Sequence, residues 1–383
     1  MTGATKQNLE GNMYVYPFVP FADLTNKNFL DNFLVGPTLT EETVVNFVGT
    51  IAAPPPRIIG RTIEERVLDI FLDDQYRFGP REIVAAEAAG WQDRMRKFIQ
   101  RQEPIRCIIL GFPFKIPVLL KTNRCAPDLG EILVLNRLSA IGKLIKTVYP
   151  PGATIDIFTE GVFGKFSGVT VQEADAYRER LRYLVTVFGW ESYFRLTDLG
   201  GLEAMIPNFE VTYQKNIEEF KTAYTAGQLE AVSRYEEIYP SIFRIVNSKM
   251  YSDDELMDAY NDNVDGHDLS AAALAARRDL GQRAREAVFC YHAYHQTRND
   301  SGIMATVAPA TLYLTVSPKP GRLGIFPIDK DIIRLPYHGV PVWHELTNRF
   351  SIEYLIDIRR QPGPYRQIFL AGDPDNQPFY YSI

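Results

Sequence analysis

Two short apolar runs with a helical pattern between them constrain this chain more than any other feature. PIRCIIL (104–110) and ATIDIFTE (153–160) are rich in β-branched residues and stop at turn signals, as strands buried on both faces do. Between Pro127 and Tyr149, the residues Leu129, Ile132, Leu133, Leu138, Ile141, Leu144, Ile145 and Val148 fall on one helical face. Strand, helix, strand in this length is a βαβ unit, whose strands pair in parallel through a right-handed crossover. Parallel strands gather their carboxyl ends on one edge, where open α/β sheets bind ligands. The loops 111–127 and 160–168 are therefore expected side by side on that edge.

The remaining pattern builds outward from this unit. Residues 1–57, closing in IAAPPPR, read as an irregular N-terminal extension whose aromatics pack it on the body. Residues 58–383 read as the α/β domain. Thr62 and Glu65 offer a capping box for a helix carrying Ile63, Val67, Ile70 and Phe71, and a charged helix follows over 80–102. Residues 171–296 read as mostly helical, and TLYLTVS, RLGIFPI, RQIFLAG and PFYYSI as strands. The predicted class is α/β: a Rossmann-like, largely parallel sheet with a helical insertion and additional C-terminal strands.

Composition removes several functions. The chain has 383 residues, 46% hydrophobic and 23% charged, with a net charge of -6. A non-specific nucleic-acid binder would show a basic excess, although a local basic pocket for a small anion stays open. Three cysteines at unpaired spacing indicate neither a disulfide framework nor a zinc site. No run approaches the roughly 20 apolar residues of a membrane span, and the amino terminus lacks a signal-peptide pattern. A cytoplasmic protein acting on small molecules, without nucleic acid or membrane, is the expectation.

Candidate chemistry collects behind the first two strands. Lys115, Lys121 and Arg124 share one long loop ahead of a helix N-terminus, a setting for a phosphate or carboxylate as well as for solvated charges. Asp128 and Glu131 have capping-box spacing. TEGVFGKFSG (159–168) is glycine-rich after a strand, but Phe166 stands where a P-loop needs Ser or Thr. Glu160, an acid ending a buried strand, suits a general base or an amine anchor, or is simply a solvated strand end. Cys290, His292 and His295 lack a further ligand at diagnostic spacing, so a structural role is the expectation. His344, in a stretch read as turn-to-helix, is the candidate for proton transfer.

GFPFK (111–115), Lys121 with APDLGE (126–131), and VYPPGATIDIFTEG (148–161) together resemble the isonitrile (isocyanide) synthase family, also called the pyoverdine/dityrosine biosynthesis family. The resemblance extends more weakly over about 60–345, through ATLYLTVSP, GRLGIFP and PVWH. It implies a Rossmann-like enzyme that condenses the amine of an amino acid with the ketone of ribulose 5-phosphate. The sugar would supply the isocyano carbon, with no metal or redox cofactor. By resemblance, Lys115 and Lys121 match the family's loop lysines, Glu160 its Ser-Asp-Gly aspartate and His344 its Trp-His. Lys115, Glu160 and His344 would then be catalytic, and Lys121, Arg124, Lys165, Tyr313, Ser317 and Arg322 would bind substrate. Departures accompany the match. Tyr313 and Ser317 replace the arginine and histidine of Arg-Leu-Ser-Ile-His-Pro, and Lys165 stands at a usual aspartate, with Lys165, Lys319 or Arg322 available to restore positive charge. Two alternatives stay open: a different amine and carbonyl (or sugar-phosphate) reaction on the same scaffold, and a non-catalytic ligand-binding relative.

Overall fold

The computed structural model describes residues 33–51, 55–118, 121–250, 271–316, 320–332, 334–359 and 363–383. The βαβ unit forms as its pattern requires. Strand β2 (Ile105–Gly111) pairs in parallel with β3 (Ala153–Thr159), from Ile105 opposite Ala153 to Gly111 opposite Thr159. Between them runs the helix Leu129–Val148, started by the full Asp128/Glu131 capping box. The Thr62/Glu65 capping box likewise starts the helix Ile63–Leu72.

These strands belong to an all-parallel sheet ordered β4-β3-β2-β5-β6, completed by β4 (Phe194–Asp198), β5 (Leu312–Thr315) and β6 (Leu323–Gly324). The chain builds β3 and β4 on one side of β2, then β5 and β6 on the other. The order therefore reverses between β2 and β5, and the carboxyl ends of these strands border the crevice such a reversal opens.

A second five-stranded sheet is ordered β1-β9-β10-β7-β8 and mixes parallel and antiparallel pairs. It joins β1 (Leu34–Leu39) to β7 (Val340–His344), β8 (Arg349–Glu353), β9 (Arg366–Leu370) and β10 (Tyr380–Ser382). The helix Leu129–Val148 touches both layers. A Cβ on Gly130 would meet the Pro336 Cβ at 2.9 Å and the Ile352 Cδ1 at 3.3 Å, while one on Gly142 would meet the Tyr193 ring at 2.6 Å. Fourteen of its 20 residues are buried, more than one amphipathic stripe accounts for.

Three sequence readings need correction. Residues 33–57 of the expected irregular extension contain β1 and the helix Glu41–Gly49, while residues 1–32 lie outside the described residues. The described residues of 171–296 are mostly helical, as expected, and include the short strand β4, whose five residues FRLTD are too short to show alternation. VPVWH is strand β7, not a turn into a helix, and RLGIFPI keeps only two residues of strand.

Candidate functional site

Glu160 ends β3, and its N–H donates to the Gly111 carbonyl at 3.2 Å, which fixes the two strand exits side by side. A 3₁₀ turn, Gly161–Ser167, follows at once. A Cβ on Gly161 would meet Pro113 O at 3.2 Å, and one on Gly164 would meet Val169 at 2.8 Å and Phe114 at 3.0 Å. The glycines that suggested a nucleotide loop allow close packing, Gly161 against the Pro113 backbone and Gly164 against the side chains of Val169 and Phe114. The expected juxtaposition of the loops after β2 and β3 is therefore observed.

Against this turn lies the C-terminal part of the helix Ala271–Ser301. Phe163 stacks on His295 at 4.5 Å and meets Tyr291 at 4.8 Å and Tyr294 at 5.3 Å. Tyr291, Tyr294, His295 and Arg298 stand at i, i+3, i+4 and i+7, one helical face. The face brings Arg298 to Glu160. Arg298 is 4% exposed, and its Nη2 lies 3.1 Å from His295 Nδ1. Its Nε and Nη1 are buried with no hydrogen-bond partner among the described residues. A guanidinium in that condition retains donors that an anion can use, beside the Glu160 carboxylate already acting on its charge.

Electrostatics tie three groups together. Burial raises the Glu160 carboxyl above its usual range, against the pull of Arg298 and then Arg322. Burial works against the charge on Arg298, Glu160 supports it, and Arg322 opposes it. Arg322 is half-buried just before β6, which pairs with the end of β5. The site thus holds one carboxylate and two guanidinium groups at the carboxyl edge of the parallel sheet, beside a wall of Phe163, Tyr291 and Tyr294. Such a set can hold an amino acid's carboxylate and amine at once, and Glu160 can take a proton from that amine.

Other sequence candidates sit differently. Lys115 is fully buried, its Nζ donating to Asp128 Oδ2 at 2.6 Å and Glu131 Oε2 at 3.1 Å. Tyr177 Oη donates to Glu131 Oε1 at 3.1 Å, closing the network. Burial pushes Asp128 up to about 7, while Lys115 and the Asp128 N–H hold Glu131 low. Lys115 therefore secures the helix start from inside, rather than facing substrate as a catalytic group.

Arg124 is also removed from the expected anion site. It is 0% exposed, donating to Gln377 O at 2.8 Å, Pro378 O at 3.2 Å and Asp373 Oδ1 at 2.8 Å, with Phe379 beneath it. It clamps the C-terminal segment to the loop after β2. Arg124→Met is expected to cost about 2–3 kcal/mol of stability and to lower hydrogen-exchange protection of residues 366–383 more than that of β2 and β3. Uniform protection in the variant would contradict this role.

Lys121 lies buried beside Arg244. Lys165 is 40% exposed and pairs with Glu203 at 2.7 Å, near the rings of Phe166 and Tyr294. Tyr313 is half-buried on β5 opposite Ile108. Ser317, like Lys319, lies outside the described residues. His344 is on the second sheet, its Nε2 2.8 Å from Ser351 Oγ, and the structure does not join it to Glu160. His292 faces away from Arg298, with Nε2 2.9 Å from Arg234 O, and burial pushes it down to about 4. Arg298 itself was missed. Its signal is the spacing of YHAYHQTR, where the histidines suggest metal ligands while the helical face of Tyr291, Tyr294 and His295 ends in an arginine.

Fold and site together define a class: an α/β protein with an acid and two arginines at the carboxyl edge of its parallel sheet. Residues 95–264 match the family model described as "Pyoverdine/dityrosine biosynthesis protein". Over that stretch the chain is similar to the pyoverdine/dityrosine biosynthesis family. It is 26% identical over 288 residues to an L-tyrosine isonitrile synthase of Pseudomonas aeruginosa, covering 71% of this chain and 82% of that protein. An L-tyrosine isonitrile synthase of Xenorhabdus nematophila is 25% identical over 74% of this chain and 80% of its own length. An L-tryptophan isonitrile synthase of Fischerella ambigua is 30% identical over 34% of this chain and 42% of that protein. The crystal structure of PvcA from Pseudomonas aeruginosa superposes with a TM-score of 0.61 at 22% identity, covering 84% of this chain and all of that one, a likeness of fold.

Proposed function

We propose that this protein is an isonitrile synthase that condenses the amine of an amino acid with the ketone of ribulose 5-phosphate. The observation that carries the reading is the buried Arg298, with two guanidinium nitrogens unsatisfied among the described residues and Glu160 facing it. Arg298 and Arg322 bind the amino acid's carboxylate. Glu160 receives the ammonium and takes its proton, freeing the nitrogen to attack the ketone carbon. Phe163, Tyr291 and Tyr294 give an aromatic side chain a stacking wall. The names of the relatives support this substrate class.

Glu160 must be deprotonated to act as base, and burial raises its pKa above the usual 4.5. The kcat/KM profile is therefore expected to fall on the acid side through a pKa above that value, a limb that Glu160→Gln removes along with most of the activity. A limb surviving in Glu160→Gln assigns the base elsewhere.

The reading is tested by supplying ribulose 5-phosphate with a pool of amino acids and trapping isonitrile with a tetrazine for mass analysis. A sugar-dependent adduct supports it. Consumption into another product means a different condensation on this scaffold, and no consumption means a ligand-binding relative.

A further inference from the structure

A cavity of about 350 Å3 lies between the helix Leu129–Val148 and the second sheet. The helix lines it with Leu133, Asn136, Arg137 and Ala140, which stand at i, i+3, i+4 and i+7 on one face. Phe47, Trp343 and Phe350 supply an aromatic wall. Trp343 lies 4.5 Å from Phe350, and Phe47 meets the two edge-on at 5.4 and 5.8 Å. Ile328 and Ile332, from the segment after β6, add apolar surface.

The parallel sheet separates this cavity from Glu160. Cys107 and Ile109 of β2 share a core with Leu133, Phe47, Trp343 and Phe350. Ile108 and Leu110 share the other core with Phe163, Tyr291 and Tyr294. Successive side chains of a strand point to opposite faces, so the two sites lie on opposite sides.

Arg137 gives the cavity a polar anchor. It is 7% exposed, its guanidinium lies 4.0 Å over the Tyr76 ring, and Nη2 donates to Gln75 O. Those contacts take up one face of the guanidinium and one nitrogen. Nε is buried with no hydrogen-bond partner among the described residues. Burial works against the charge, which Tyr76, Asp329 and Asp73 support. A buried guanidinium with donors to spare, bordering an aromatic cavity of this size, suits an anion whose body is a ring.

Charge narrows the choice of anion. Asp329 lines the same cavity, and the exposed Arg349 on its lining is already paired with Asp331 at 3.3 Å. A phosphate monoester, with about 1.5–2 charges, would face Asp329 with only Arg137 to balance it. A carboxylate brings one charge and two oxygens that match the planar fork of a guanidinium.

We propose that this cavity binds a small aromatic monocarboxylate, with its carboxylate on Arg137 and its ring among Phe47, Trp343 and Phe350. The site is independent of the isonitrile synthase reading, which uses the opposite side of the sheet.

The test is 19F NMR of the full-length protein labelled with 5-fluorotryptophan, titrated with 2-naphthoate and with its neutral amide. The chain has three tryptophans, and Trp91 and Trp190 are buried and do not line the cavity. 2-Naphthoate is expected to shift the Trp343 resonance saturably, assigned by Trp343→Phe, and to leave the other two in place. The amide is expected to bind about tenfold or more weakly, and Arg137→Met to weaken 2-naphthoate by a similar factor. Because Arg137 also holds Gln75 and Tyr76, a second variant leaves it untouched. Ala140→Phe fills the cavity from the helix and is expected to abolish the shift. Arg298→Gln is expected to leave the affinity within about twofold. The proposal is overturned by a Trp343 resonance that does not move, by equal binding of acid and amide, by a shift that survives both Arg137→Met and Ala140→Phe, or by its loss in Arg298→Gln.

Discussion

Arg298→Gln is expected to lower kcat/KM by about 100- to 1,000-fold, the loss of about 2.7–4 kcal/mol that follows when a preorganised donor to a charged group is removed from a dry site. The same change leaves the melting temperature unchanged or raises it. Arg298 is buried with Nε and Nη1 unsatisfied among the described residues, so the desolvation cost of its charge is offset only in part, by Nη2 against His295 Nδ1 and by the charge of Glu160. A neutral side chain relieves that cost. Arg298→Lys keeps the charge but not the planar fork, and falls between the two. A structural arginine gives the opposite pattern, with stability lost and the surviving folded fraction fully active. Steady-state kinetics beside thermal melts separate the two roles in one set of samples.

Lys115→Met is expected to act mainly on stability, by about 3–5 kcal/mol, because it removes the cation both buried carboxylates share and leaves only Arg124, 3.8 Å from Asp128. Asp128 and Glu131 are both 0% exposed and already committed to the helix N-terminus, so neither can turn to water. Adding Asp128→Asn and Glu131→Gln to Lys115→Met recovers part of the loss by removing the orphaned charge. Urea denaturation of the wild type, Lys115→Met and the triple variant measures this. A loss below about 1 kcal/mol in Lys115→Met would show that the network is not the anchor of the helix start.

The βαβ unit and its sheet edge were legible because their signals are local: β-branched runs, one helical face and a capping box each lie within a few residues. What escaped depends on partners distant in sequence. β4 is five residues long and gains its identity only by pairing with β3. β1 is a strand because β9, over 320 positions later, offers it an edge. The site divided along the same line. Glu160 could be read from the end of its strand, but its partner Arg298 arrives on a helix 138 residues downstream. Lys115 and Arg124 have the composition of an anion site, yet Asp128, Glu131 and Asp373 occupy them, and no feature of the loop reveals that pairing. A cation in a loop is free or committed according to which acid folds onto it.

The central claim is that this chain joins an amino acid's nitrogen to a carbon from ribulose 5-phosphate. Uniformly 13C-labelled ribulose 5-phosphate, supplied with unlabelled amino acids and followed by tetrazine trapping, tests it most directly. The account predicts an adduct one mass unit heavier than with unlabelled sugar, formed by the wild type and about 100-fold or more slower by Arg298→Gln. An adduct of unshifted mass, or none from any amino acid offered, would contradict it.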